Sequence, residues 1–217
     1  ALGGYTTCLL DLDAAFLEKG LDTIRRNLQK GVERGKVSGD EIKAALGRLT
    51  FTLDLEEAAS RADLVIEAVV EDMAAKLDLF GRLDRITPDH AILASNTSAL
   101  SVTEMGGATN RPDRVLGMHF FNPVRKMPLV EIVRGKHTSD EVLARTARLA
   151  LDLGKTPAMS AALLRNSDDL VGLGYAVFLS ASNKGFIGEM VDADVDDRVE
   201  ATWAAHALGI EIGRAHV

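Results

Sequence analysis

The chain has 217 residues, a formal net charge of −7 at pH 7 and a hydrophobic fraction of 47%. This length and composition allow one large domain or one and a half, with a sizeable core. The acidic balance disfavours nucleic acid as a partner, and no apolar run reaches the roughly 18 residues of a membrane span. The single cysteine, Cys8, excludes an internal disulfide and favours a reducing compartment.

Apolar residues recur at strand and helix periods along the first 153 residues. In chain order, the pattern predicts a strand at 6–10, helices at 13–35 and 39–46, a strand at 49–53, a short helix at 56–62, a strand at 63–70, a helix at 72–86, a strand at 91–94, a short helix from 101, strands at 115–119 and 129–133, and a helix at 139–153. Strands that alternate with helices predict an α/β fold, with a parallel-rich sheet between helices on both faces.

The pattern changes from Ala158 onward, where strand signals fade and helical periodicity continues to about residue 210. Residues 158–210 are therefore expected to begin a helical region. Residues 211–217 resemble the translation of a widely used sequencing adapter, so they take no part in the fold reasoning. The alternative is that this segment is native; if it is an adapter, neither end of the chain need be natural.

Polar side chains lie at the ends of, or inside, three apolar strand-like runs. The cluster 95–98 follows one run, His119 ends the next, and Glu131 lies within 129–133. Ligands bind at the carboxyl edge of open α/β sheets, and histidine exchanges protons near neutral pH. These residues therefore predict a general acid/base site. The alternatives are a structural histidine, a salt bridge for Glu131 and a helix cap at Ser98.

Five segments, in order and in register, resemble the NAD-binding domain of 3-hydroxyacyl-CoA dehydrogenases, which include 3-hydroxybutyryl-CoA dehydrogenases. They are Asp63-Leu-Val-Ile-Glu-Ala-Val-Val-Glu-Asp72, Ala94-Ser-Asn-Thr-Ser98, Gly117-Met-His-Phe-Phe-Asn-Pro123, Leu129-Val-Glu131 and Leu153-Gly-Lys-Thr-Pro157. The resemblance covers residues 1–157. It implies a Rossmann-like doubly wound parallel sheet, with 158–210 as a partial or altered C-terminal dimerisation domain.

The resemblance also implies an activity, which is the NAD-dependent oxidation of 3-hydroxyacyl-CoA to 3-oxoacyl-CoA in fatty-acid β-oxidation or butyrate metabolism. His119 would be the base, Glu131 would hold its other ring nitrogen, and Ser98 would bond the substrate oxygen. The implied cofactor-binding residues are Asp11, Ala68, Glu71, Lys76, Asn96, Ser98 and Asn122. The implied substrate-binding residues are Ser98, Asn27 and Arg34, the last two on a basic helix. No metal is expected.

Several of these residues have simpler alternatives. Asp11 could cap the following helix, Lys76 could belong to a solvated helix face, and the asparagines could shape loops. The basic helix could be an ordinary solvated face.

The sequence departs from the family in two places. The G-x-G-x-x-G phosphate loop and the strand before it, which is central in the usual strand order, are absent from the sequence. We therefore expect this chain, as given, to bind NAD weakly or not at all. After Pro157 no Asp-x-Pro-Gly-Phe run follows, and the second active-site asparagine has no secure counterpart. Asn166 and Asn183 are nearby, and neither is assigned.

The expected partner is an acyl-CoA, with no membrane, and the intact protein is expected to be a homodimer. The expected location is the cytoplasm for a bacterial or archaeal source, or the mitochondrial matrix for a eukaryotic one. One alternative is a non-catalytic relative or an inactive fragment with a structural or interaction role. Another is a different β-hydroxyacid dehydrogenase, which would depend on a catalytic lysine.

Overall fold

The computed structural model describes residues 1–161, which divide into two compact units. The first contains Ala1–Ala62 and Ile86–Pro88, and the second contains Asp63–Arg85 and the described residues from Asp89 onward. Within this part of the chain, no helix is long and apolar enough to cross a membrane.

The first unit holds a two-stranded parallel sheet and three helices. Its elements are β1 (Thr7–Leu10), α1 (Ala14–Glu33), α2 (Gly39–Gly47), β2 (Leu49–Thr52) and α3 (Leu55–Ala59). Side-chain caps start these helices: Asp13 accepts a hydrogen bond from Ala15 N at 2.8 Å, and Ser38 forms a capping box with Glu41. The sequence placed each of these elements correctly to within three residues at either end.

The second unit holds a five-stranded sheet in the order β3-β4-β5-β6-β7. Its elements are β3 (Leu64–Glu67), α4 (Met73–Ile86), β4 (Ile92–Ser95), α5 (Val102–Gly107), β5 (Val115–Phe120), β6 (Leu129–Arg134), α6 (Asp140–Asp152) and β7 (Thr156–Ala161), with a 3₁₀ turn at Pro112–Arg114. Neighbouring strands are parallel except β5 and β6, which are antiparallel. The mostly parallel sheet agrees with the Rossmann-like fold class predicted from the sequence.

Helices cover both faces of this sheet. Alternate residues of each strand point to opposite faces, so each face presents its own set of side chains to the helices that cover it. On one face, Leu116, Met118 and Ile132 pack with Val142 and Leu143 of α6 in the main hydrophobic cluster. The other face meets α4 and α5. It carries Glu67, Ser95, Gly117, His119 and Glu131, so His119 and Glu131 of the predicted site lie together on this second face.

The domain boundary differs from the sequence prediction. Residues 158–161 were expected to begin the helical region, but they continue β7, which pairs in parallel with β6 along its whole length. Pro157 and the two alanines of β7 carry no strand signal of their own. Pairing with the buried strand β6 outweighs this weak local preference, as is usual for strands. The remainder of the predicted helical region, 162–210, lies outside the described residues.

Candidate active site at the ends of β4 and β5

His119 and Glu131 form a buried pair across the antiparallel strands β5 and β6. They are directly opposite each other in the register, and His119 Nδ1 lies 2.8 Å from Glu131 Oε2. The side chain of Glu131 is 4% exposed and that of His119 is 16% exposed. The contact that the resemblance implies between Glu131 and a ring nitrogen of His119 is therefore present, and Glu131 has the partner that a buried carboxylate requires.

This contact determines which ring nitrogen is available for chemistry. An ionised carboxylate only accepts hydrogen bonds, so Nδ1 carries the proton that faces Glu131. Nε2 is then left with a lone pair, and an imidazole in this state can take a proton from a hydroxyl group. The ring of Phe121 lies 4.8 Å from the histidine ring, centroid to centroid, and shields one side of it. The arrangement is that of an oriented general base.

Gly117 is packed closely against β6 and α5. It lies two residues before His119, on the same face, and is opposite Val133 of β6. A Cβ atom on Gly117 would lie 2.8 Å from Val133 Cβ and 3.2 Å from Val102 Cγ2. Residues with side chains are therefore excluded at position 117 without a shift of β6 or α5.

The segment after β4 is held by the carboxylate of Glu71. Oε1 of Glu71 accepts hydrogen bonds from Thr97 Oγ1 at 2.5 Å and from Ser98 N at 3.0 Å, with Ser98 Oγ at 3.4 Å. The alternative role of Ser98 as a helix cap is wrong, because Ser101 caps α5 and Thr97 Oγ1 accepts from Leu100 N.

Asn96 joins this segment to the strand that carries the histidine. Its Oδ1 accepts a hydrogen bond from Phe120 N at 2.8 Å, directly after His119. Asn96 therefore fixes the end of β4 against the end of β5, which places residues 96–98 and His119 at the same edge of the sheet.

Below this edge lies a network of buried charges. Lys76, with a side chain 1% exposed, places Nζ 2.6 Å from Glu67 Oε1 and 3.4 Å from Glu71 Oε2. Glu67 is equally buried, and its Oε2 accepts a hydrogen bond from Ser95 Oγ at 2.6 Å. The alternative that Lys76 belongs to a solvated helix face is therefore wrong.

The sequence interpretation missed Glu67, Ser95 and Thr97. A signal for Glu67 was present, because it is a carboxylate inside an apolar strand and so requires a partner. Nothing in the spacing identified Ser95 or Thr97 as its neighbours.

The pKa of Glu71 is lowered. Burial by itself would raise the pKa of this carboxyl group, but the hydrogen bonds from Thr97 and Ser98 and the charge of Lys76 together lower it. Glu71 therefore remains an anion and an acceptor well into the acid range. Its side chain is 42% exposed, so it still faces solvent.

Two further predicted cofactor residues lie at this sheet edge or beyond it, and both are exposed. Ala68 directly follows β3, and Asn122 directly precedes the cis peptide bond to Pro123 in the loop between β5 and β6. Their roles, like the catalytic roles of His119, Glu131 and Ser98, stay predictions.

The remaining predicted residues belong to the first unit. Asp11 follows β1, is exposed, and accepts a hydrogen bond from Leu12 N at 2.7 Å. Asp13 and not Asp11 caps α1, so the helix-cap alternative for Asp11 is wrong. Asn27 is half-buried on α1, and Arg34 is the exposed residue that ends this helix. The two are about two helical turns apart and so lie on one side of it.

Asp11 is an exposed carboxylate at the carboxyl end of a parallel strand, where an acidic group can accept hydrogen bonds from ribose hydroxyls. Within the second unit, Glu71 is an anionic acceptor that is 42% exposed. In the same described part of the chain, no group of three or more His, Cys, Asp or Glu side chains could hold a metal ion.

Comparison with known proteins gives one consistent family. Residues 1–162 match a protein-family model described as the NAD binding domain of 3-hydroxyacyl-CoA dehydrogenase. A Bacillus subtilis protein named probable 3-hydroxybutyryl-CoA dehydrogenase is 46% identical over 153 residues, which are 70% of this chain and 53% of the relative. The 3-hydroxybutyryl-CoA dehydrogenase of Mycobacterium tuberculosis is 45% identical over 151 residues, 69% of this chain and 52% of the relative.

The fold agrees with the same family. The crystal structure of 3-hydroxybutyryl-CoA dehydrogenase from Escherichia coli superimposes with a TM-score of 0.71 at 34% identity, covering 80% of this chain and 39% of that one. The chain spans about half the length of the curated relatives described above.

Proposed function

We propose that this chain takes part in the oxidation of 3-hydroxyacyl-CoA to 3-oxoacyl-CoA. The premise is that the chain belongs to the 3-hydroxyacyl-CoA dehydrogenase family through its NAD-binding domain. The observation that carries this proposal is the His119–Glu131 pair. A histidine held by a buried carboxylate is suited to removing a proton from a secondary alcohol. Neither residue needs such an arrangement for packing alone, because an apolar pair would fill the same space.

His119 is the proposed general base. Its Nε2 takes the hydroxyl proton of the substrate, while Nδ1 keeps its own proton in the hydrogen bond to Glu131. Glu131 orients the ring and stabilises the imidazolium that forms. In the reverse reaction, the same imidazolium returns the proton to the carbonyl oxygen. NAD, when bound, supplies the acceptor for the hydride that leaves C3 of the substrate.

Ser98 is proposed to bond the substrate oxygen. Glu71 holds the main chain of Ser98 through a 3.0 Å hydrogen bond, and Asn96 ties the segment to Phe120. The hydroxyl of Ser98 is therefore on a fixed backbone next to the strand of the base, which reduces the entropy cost of positioning the substrate.

The proposed cofactor-binding residues are those that the family resemblance implies. Asp11 would accept hydrogen bonds from the adenosine ribose, and Glu71 and Lys76 would face the nicotinamide-side ribose. The side chain of Lys76 is fully buried and contacts Glu71, so any effect of Lys76 on cofactor binding would act through Glu71. Ala68, Asn96 and Asn122 complete the proposed set.

The acyl-CoA phosphates are proposed to bind near Asn27 and Arg34, where exposed cationic side chains of α1 suit a polyanion. The proposal includes a homodimer for the intact protein, a place in fatty-acid or butyrate metabolism, and a cytoplasmic location for a bacterial or archaeal source. A non-catalytic relative remains the alternative from another class.

The test is reduction of acetoacetyl-CoA with NADH by the protein expressed from its complete reading frame. His119→Ala is expected to lower kcat by roughly a hundredfold or more, the size of a general acid/base contribution. His90→Ala is the matched control, because His90 also pairs with a carboxylate, Asp63 Oδ1, at 2.9 Å, yet is 55% exposed. Wild-type protein without activity, or full activity in His119→Ala, would contradict the proposal.

A further inference from the structure

Glu67 is held more tightly than a packing role requires. Its Oε1 accepts hydrogen bonds from Lys76 Nζ at 2.6 Å and from Val69 N at 2.7 Å, and its Oε2 accepts one from Ser95 Oγ at 2.6 Å. Both Glu67 and Lys76 have side chains 1% exposed. A buried ion pair of this kind stabilises a fold no better than an apolar pair of similar volume. A different explanation for its presence is therefore needed.

A second contact of Lys76 shows how the Glu67–Lys76 pair affects its neighbours. With its position set by Glu67, Nζ also faces Glu71 Oε2 at 3.4 Å. The other oxygen of Glu71, Oε1, is the acceptor for Thr97 Oγ1 and Ser98 N. The two oxygens of Glu71 therefore have different partners, since one faces the buried lysine and the other holds the segment that carries Ser98.

A second route runs from Glu67 to the same segment. Ser95 Oγ donates its hydrogen to Glu67 Oε2 and accepts a hydrogen bond from Thr97 N at 3.2 Å. The register places Glu67 and Ser95 side by side on β3 and β4, one row of the sheet below His119. Two independent chains of bonds thus connect one buried carboxylate with residues 97 and 98.

We propose that Glu67 is a positioning residue for Ser98: it fixes Lys76, which fixes Glu71, and it fixes Thr97 through Ser95. Glu67 touches neither substrate nor cofactor in this scheme. Its effect on turnover rests on the proposed function, whereas its effect on the geometry of Ser98 does not.

The first test measures the amide hydrogen exchange of Ser98 in Glu67→Gln, which keeps the shape of the side chain and removes its charge. Lys76 is then balanced by Glu71 alone and draws it inward, away from Ser98 N. We expect the amide of Ser98 to exchange about tenfold faster. The net stabilisation from a hydrogen bond to a charged group corresponds to roughly a tenfold change, or more, in an opening equilibrium. Amides of β5 and β6 serve as the internal reference for global unfolding.

Asp84→Asn is the matched control. Asp84 Oδ1 pairs with Arg111 Nε at 2.8 Å, with side chains 6% and 12% exposed, in the same unit of the fold. This variant loses a comparable buried charge but lies on no route to Ser98. It should lower global stability and leave the Ser98 amide unchanged relative to the reference. Equal effects in the two variants would mean a merely structural role and would overturn the proposal.

A double-mutant cycle tests the route itself. If Glu67 acts through Glu71, then Glu67→Gln should add little to Ser98 exchange once Glu71→Gln is present. Full additivity would refute the route through Lys76. In the active protein, Glu67→Gln should also lower kcat about tenfold with KM changed less than about threefold, since Ser98 is needed for chemistry more than for CoA binding. An inactive wild type would refute the proposed function alone, while the exchange result would still decide this inference.

Discussion

Replacing Gly117 by alanine tests how closely the His119–Glu131 pair depends on the packing beside it. The added Cβ would lie 2.8 Å from Val133 Cβ, whereas carbon atoms in good contact are about 3.5–4.0 Å apart. The obstructing atom is a Cβ and cannot rotate away, so β5 and β6 must separate by about 0.7 Å to reach an ordinary contact distance. Overpacking of this kind costs about 1–3 kcal/mol of unfolding free energy.

The same displacement acts on the proposed general base. His119 and Glu131 are opposite each other in the next row of the same two strands, at 2.8 Å. A separation of about 0.7 Å would move them to about 3.5 Å, outside hydrogen-bond range. We expect a tenfold to hundredfold loss of kcat, since a misplacement of about 1 Å costs about a hundredfold.

Urea denaturation followed by circular dichroism measures the stability change, and acetoacetyl-CoA reduction measures the catalytic one. With a slope of about 2 kcal/mol per molar urea, a loss of about 2 kcal/mol shifts the midpoint by about 1 M. Gly106→Ala is the control, because its Cβ would meet nothing closer than 3.5 Å and α5 should gain helix propensity. A midpoint in Gly117→Ala that is no lower than that of the wild type would refute the packing argument.

Two further predictions concern acid stability and the loop after β5. The pKa of Glu71 in the folded protein lies below the ordinary value of 4.5, so the stabilising effect of its carboxylate is complete above pH 4.5 and is lost as pH falls through the folded pKa. Glu71→Gln should therefore remove this part of the acid dependence of the unfolding free energy, measured by denaturation between about pH 3 and 7. An unchanged pH profile in Glu71→Gln would contradict this expectation. Lys155 Nζ donates hydrogen bonds to the carbonyl oxygens of Val124 and of Met127; Lys155→Met should speed proteolysis within residues 121–128 several-fold while the unfolding midpoint changes little, and equal cleavage rates would count against this tether.

The sequence predicted the contact between His119 and Glu131 better than its surroundings, for a physical reason. His119 and Glu131 are each isolated polar residues in apolar strands, so burial forces them to find partners, and a short connection brings the two strands together. The direction of β6 was not determined by that reasoning. The direct antiparallel opposition became visible only in the register.

Lys76 shows where pattern reasoning fails. Helical periodicity placed it on α4, but the side of a helix that faces a buried carboxylate cannot be distinguished from a solvated side when the neighbouring residues are small. Its burial depends on Glu67, nine residues earlier on another element. In β7 the failure was different, because a six-residue strand that contains a proline and two alanines owes its conformation to its neighbour β6.

The antiparallel ladder between β5 and β6 fixes the position of the His119–Glu131 pair independently of the sequence of the loop that joins the two strands. The opposition of His119 and Glu131 is fixed by main-chain pairing on either side of the loop 121–128, and the tether from Lys155 binds carbonyl oxygens, which every amino acid possesses. Side chains at 124–127 can therefore be exchanged without altering the His119–Glu131 contact. A register slip of one residue, by contrast, would turn Glu131 toward the apolar face under α6. This part of the loop can thus vary in sequence while the opposition of the two strands is retained.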